Sequence, residues 1–149
     1  MNCVNDRQEL EMFFAATKAE ASAGIATLSE RLGALGLPET ETDDVRIALA
    51  EAINNVVEHS YAGTTPENVH VKCSLGTENL EILITDSGVP MPEVALGSRF
   101  PASVDTVLSD LPEGGFGWYL IRTLTSDVQY ERRGGCNRFS LLFDFAESQ

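Results

Sequence analysis

Glu51, Asn55 and His59 stand four residues apart in the run Glu51-Ala-Ile-Asn-Asn-Val-Val-Glu-His59. At about 100° per residue, each is offset by only about 40° from the last, so on a helix they form one polar stripe. Such a stripe can hold a metal ion and a base. The amide oxygen of Asn55 suits Mg2+, a hard cation that keeps several waters and bridges substrate phosphates. Glu51, one turn earlier, could then be a general base for an attacking hydroxyl. The competing reading is a plain solvated face. Against it, Asn54 and Asn55 are poor helix formers, each costing about 0.5 kcal/mol relative to alanine, and a surface under no other demand seldom uses both.

Two further stretches bear on a ligand. Asp86-Ser-Gly88 follows an apolar run. A carboxylate there could accept a hydrogen bond from an exocyclic amine such as that of adenine, beside a glycine that lets backbone or ligand approach closely. A turn-initiating aspartate has the same signature. Gly114-Gly-Phe-Gly117 opens a short apolar stretch, and the unpaired first amides of a helix make a phosphate site in principle. This is neither a Walker sequence, since no Lys-Ser/Thr follows, nor the G-x-G-x-x-G pattern, so those two nucleotide folds are excluded.

The elements that must position these groups can be read from periodicity. Residues 9–16 read as a strand, and Ala21, Ile25, Leu28, Leu32 and Leu35 recur at helical spacing over 18–35. Gly36 and Pro38 close that helix, and the Thr40-Glu-Thr-Asp-Asp44 run offers an N-cap and first-turn carboxylates for a second helix from about Asp43 to Ser60. Val45, Leu49, Ala52, Ile53, Val56 and Ser60 share the side expected to pack on a sheet. Asp44, Glu51, Asn55, Glu58 and His59 share the other. Residues 61–68 read as a loop, 69–75 and 80–85 as strands, and 118–124 as a short helix. Residues 127–131 and 137–145 form a hairpin with Phe139, Leu141, Phe143 and Phe145 on one face. Residues 89–113 hold four of the six prolines, with a helical turn or two at 104–111. A connector of this length is often a functional lid or a disordered segment. The count predicts a single domain, 1–149, built as an α/β two-layer sandwich: a mostly antiparallel mixed sheet of about five strands, with about three helices on one face.

Composition bounds the function. The 149 residues, 43% hydrophobic, suit one soluble domain, and no apolar run approaches the roughly 20 residues a bilayer span requires. We therefore expect no membrane insertion. Three separated cysteines (Cys3, Cys73, Cys136) and an N-terminus without an apolar signal core point to the cytoplasm. The formal charge of −13 argues against direct nucleic-acid binding and favours a charged metabolite or a protein partner.

The order of the motifs says more than any one of them. Glu-x-x-x-Asn on a helix, Asp-x-Gly after a strand and Gly-Gly-x-Gly before a helix resemble the N, first-glycine and second-glycine boxes of the GHKL (histidine-kinase-like) ATPase superfamily. Glu-Ala-Ile-Asn-Asn-Val-Val-Glu-His, Leu-Pro-Glu-Gly-Gly-Phe-Gly-Trp-Tyr-Leu-Ile-Arg and Arg-Gly-Gly-Cys-Asn-Arg-Phe narrow this to a resemblance to the anti-sigma factor serine/threonine protein kinases, over nearly the whole chain. That resemblance implies a Bergerat-type ATP site with Asn55 on Mg2+, Asp86 on the adenine amino group with Gly88 beside it, and Gly115 and Gly117 along the phosphates. It implies Glu51 as the base for phosphorylating a serine or threonine of a STAS-domain anti-anti-sigma protein. It further implies sequestration of an alternative sigma factor by partner switching, often by a homodimer. The alternative within the same reading is a nucleotide-gated sequestering module with little or no kinase activity; a detached histidine-kinase catalytic domain would need a separate phosphoacceptor. Two departures from the family pattern stand out: Phe116 and Trp118 are bulky for the second glycine box, and Arg99 is the single cation in 89–113.

Overall fold

The computed structural model describes residues 7–60, 67–90 and 115–145. Five strands, β1 (Gln8–Ala15), β2 (Asn68–Leu75), β3 (Asn79–Asp86), β4 (Asp127–Arg133) and β5 (Cys136–Asp144), form one sheet in the order β1-β2-β3-β5-β4. The sheet, expected to be mostly antiparallel, is antiparallel at all four pairings. Among the described residues, three α-helices accompany it: α1 (Lys18–Leu35), α2 (Glu39–Asn55) and α3 (Gly115–Leu124).

Strand alternation decides which face is covered. Val69, Val71, Cys73 and Leu75 of β2, Leu80, Ile82 and Ile84 of β3, and Phe139, Leu141 and Phe143 of β5 are all buried. The register makes them neighbours on one face. Against them pack Ile25, Leu28 and Leu32 from α1, Val45, Leu49, Ile53 and Val56 from α2, and Ile121 from α3, in one continuous core. The other face carries Lys72, Glu81, Leu83, Arg138 and Leu142 around an open concavity of about 540 Å3. Burial also raises the Cys73 thiol to about 12, reinforced by Glu9, so this cysteine is a packed apolar group without thiolate chemistry.

Local chemistry sets the boundaries. Thr17 caps α1 by accepting from the Glu20 amide at 3.2 Å. Gly36, at φ 115°, ends the helix while the Leu37 amide reaches back to the Leu32 carbonyl at 2.9 Å. α2 starts at Glu39, four residues earlier than the Asp43 expected. Pro38 takes the N-cap position with no side-chain cap, its φ of −58° already close to helical, and the Thr40–Asp44 run lies inside the helix. The β4–β5 hairpin turns through Gly134 and Gly135, both at positive φ (58° and 79°), as a two-residue turn with that twist requires.

Gly24 of α1 is there for packing. A Cβ at this position would lie 2.6 Å from Cδ2 and 3.1 Å from Cγ of Phe14, whose ring is itself buried. Helix propensity alone favours Gly24→Ala by about 1 kcal/mol, but overpacking costs about 1–3 kcal/mol. We expect the clash to win and the melting temperature to fall by several degrees. A rise would mean that the Phe14 ring can retreat.

Candidate functional site

Chain direction brings the chemically distinctive residues to one end of the helix layer. Ala15 pairs with Asn68 at that end of the sheet, where Asp86 also pairs with Asn137. α1 sets out from this end and finishes at Leu35, whose carbonyl accepts from Gln8 Nε2 at the far end. The link through Pro38 turns the chain, and α2 packs back along α1. Its C-terminal half, with Glu51 and Asn55, therefore returns towards Asp86. α3 packs on α2 and finishes at Leu124. Just beyond it, the Ser126 amide bonds to the Leu142 carbonyl and the Ser126 hydroxyl accepts from the Asp144 amide, both at the far end. Ten helical residues span about 15 Å, so the N-terminus of α3, with Gly115 and Gly117, lies towards the Asp86 end as well.

The polar stripe on α2 is less exposed than its composition suggests. Asn55 is only 4% exposed and belongs with the buried residues of the helix, not with its solvated side. α3 packs against α2, a contact that α2's own sequence does not show. Asn55 Nδ2 donates to the Glu51 carbonyl at 3.1 Å. With its nitrogen committed to the helix, the amide presents Oδ1 as its remaining polar atom, and a neutral oxygen donor fits a hard cation. Among the described residues no group of three His, Cys, Asp or Glu side chains could enclose a metal. A cation at Asn55 would thus depend on water and on a ligand's own oxygens for most of its shell. Glu51 is half-buried one turn earlier.

Immediately after Asn55 the helix widens into a π-helical turn, Val56–Ser60. Such turns are rare and recur at functional sites. His59 lies on it with Nε2 buried, 4.0 Å from Glu58 Oε1 and without a hydrogen-bond partner among the described residues. Asn54 points elsewhere, into a groove of about 310 Å3 between α1 and α2 that Lys18 and Arg46 also line.

Asp86 ends the central strand on its core-facing side, 2% exposed. Its Oδ1 accepts the Gly88 amide at 2.9 Å, a tight turn that a glycine two residues on accommodates. Asn137 Nδ2 donates to Asp86 Oδ1 at 2.9 Å, approaches Oδ2 at 3.3 Å and donates to the Val89 carbonyl at 2.8 Å. Sequence reasoning missed Asn137. The signal was its parity: it precedes Phe139, Leu141 and Phe143 in steps of two, so it had to face the core, where an amide needs a polar partner.

Gly115 and Gly117 lie within the first turn of α3, which begins at Gly115 and not at Trp118. Their amides are among those a helix leaves without intrahelical acceptors, a donor set suited to an anion. Gly114, the Phe116 and Trp118 side chains, the expected turn at 104–111, Arg99 and nearly all of the expected lid at 89–113 fall outside the described residues, as do 61–66 of the expected loop.

The chain is similar to known proteins in both sequence and fold. Residues 14–143 match the histidine kinase-like ATPase domain. The chain is 34% identical over 124 residues to the serine-protein kinase RsbW of Bacillus mycoides, covering 82% of this chain and 76% of that protein. The Bacillus anthracis RsbW matches to the same extent. Among solved structures, the RsbU and RsbW domains of a Mycobacterium tuberculosis protein superpose with a TM-score of 0.65 at 20% identity, over 92% of this chain and 32% of that one, so this chain spans about a third of it. The SiaB–SiaC complex of Pseudomonas aeruginosa superposes with a TM-score of 0.60 at 14% identity, over 91% and 89% of the two chains. At such identities the structural likeness speaks for the fold alone.

Proposed function

The chain belongs to the histidine kinase-like ATPase family, alongside the RsbW serine-protein kinases, and from that premise we propose that it is an anti-sigma factor that phosphorylates a serine or threonine of a STAS-domain antagonist with ATP. The observation that carries this reading is the gathering of Asn55, Asp86 and the N-terminus of α3 at one end of the helix layer, two of them side chains under 5% exposed. Asp86 and Asn55 are held by their own neighbours, and oriented oxygen acceptors at the same end as unpaired helix amides favour a polar, anionic ligand there.

In this reading Asp86 accepts from the adenine amino group, with the Gly88 turn against the base. The amides at Gly115 and Gly117 face the phosphates. Asn55 Oδ1 would hold Mg2+, which supplies charge neutralisation on the phosphate oxygens. The Glu51 carboxylate takes the proton of the incoming hydroxyl as that oxygen bonds to the γ-phosphorus; the bond from phosphorus to the β–γ bridging oxygen breaks, and ADP leaves. Partner switching follows if the unmodified antagonist and an alternative sigma factor compete for the kinase and phosphorylation removes the antagonist. The setting is the cytoplasm; no helix among the described residues is long and apolar enough to cross a membrane. A homodimer could use the face of the sheet on which no described helix packs, where Leu83 and Leu142 lie among charges of both signs.

The test is direct. Incubated with Mg-ATP and a STAS-domain antagonist, the chain should produce phosphoserine or phosphothreonine on that partner, and EDTA should abolish transfer. A stable ATP-dependent complex with no phosphoprotein would instead establish the nucleotide-gated sequestering module. Absence of both would sink the reading.

A further inference from the structure

Asn137 has its hydrogen-bonding capacity fully used. One N–H serves the Asp86 carboxylate and the other the Val89 carbonyl. Its Oδ1 accepts from the Tyr130 hydroxyl at 2.5 Å and from Arg132 Nη1 at 3.2 Å. An amide has two donors and two acceptor lone pairs, so nothing is spare. A flipped amide would turn its oxygen towards the Asp86 carboxylate and its N–H groups towards two donors, which fixes the orientation. Arg132 Nη1 also reaches the Gly88 carbonyl at 2.6 Å. The β4–β5 hairpin thereby holds both the carboxylate and the backbone turn that follows it. A fully satisfied network centred on a buried amide sets side-chain direction more sharply than any single bond.

We propose that Asn137, locked by Tyr130 and Arg132, is a positioning residue for purine recognition, fixing the direction in which the Asp86 carboxylate meets the amino group at the 6-position. This rests on the assignment of Asp86 to adenine. Asn137 need not touch the nucleotide; it acts through Asp86. A positioned acceptor discriminates between ligands that have the amino group and ligands that lack it, whereas a merely structural residue affects both alike.

The experiment measures binding of ATP and of purine riboside triphosphate, which carries hydrogen in place of the 6-amino group, to the wild-type chain and to Asn137→Ala. The wild type should prefer ATP by about tenfold or more, the usual worth of a hydrogen bond to a charged group. Asn137→Ala should reduce that preference to within about twofold of unity, with purine riboside triphosphate affinity little changed. Should that variant not fold, the paired change Tyr130→Phe with Arg132→Met leaves Asn137 in place but releases its orientation, and should lower the preference at least about threefold. An equal loss for both nucleotides, or an unchanged preference in a folded variant, overturns the positioning role. A wild-type protein that binds both nucleotides equally overturns the Asp86 assignment itself, and the proposal with it.

Discussion

Glu51→Gln should lower phosphotransfer to the antagonist by about 10²–10⁴-fold while ATP affinity stays within about twofold of wild type, because a positioned general base contributes to the transition state and little to ground-state binding. The isosteric amide keeps the size of the side chain and removes its ability to accept a proton. The structure gives a reason to expect clean separation of the two effects. Asn55 is anchored to the backbone carbonyl of Glu51 and not to its carboxylate, so the substitution leaves the proposed Mg2+ ligand where it is. Single-turnover transfer with Mg-ATP, paired with calorimetric ATP titration, measures both quantities. Full transfer by the variant would remove Glu51 as the base; joint loss of transfer and ATP binding would recast it as a binding residue.

The fold was legible where burial is set by local pattern. Alternation in β5 has period two, and the strand buries one face only, so Phe139, Leu141 and Phe143 followed directly from the sequence. The start of α2 was not, because Thr40 and Asp44 carry cap chemistry that the proline two residues earlier pre-empts by fixing the backbone. At the site, Asn55 reads as surface in the helical stripe, yet it is buried in the folded chain. Asn137 reads as the flank of a hairpin; its partner Asp86 is 51 residues away in sequence, and the contact exists because β3 and β5 are neighbours in the sheet. Local pattern thus showed the residues that carry chemistry by type, and tertiary contact showed those that carry it by position.

Asp86→Asn should leave the fold intact and weaken ATP binding by about 100-fold or more. Two internal bonds of the carboxylate, from the Gly88 amide and from Asn137 Nδ2, converge on Oδ1 at 2.9 Å. An asparagine can preserve both by placing its own oxygen there. Its NH2 then occupies the position of Oδ2, turning an acceptor into a donor where the adenine amino group would approach. Loss of a charge-assisted hydrogen bond is worth about 1.5–3 kcal/mol, and the donor-to-donor encounter adds to it. The same inversion predicts a gain elsewhere: inosine triphosphate, with an oxygen at the 6-position, should bind the variant better relative to ATP than it binds the wild type. Calorimetric titration with the two nucleotides, alongside a thermal melt, tests the substitution. A melting temperature close to wild type with reversed nucleotide preference would mark Asp86 as the group that reads the base. Unchanged ATP affinity would leave it a turn residue that closes β3.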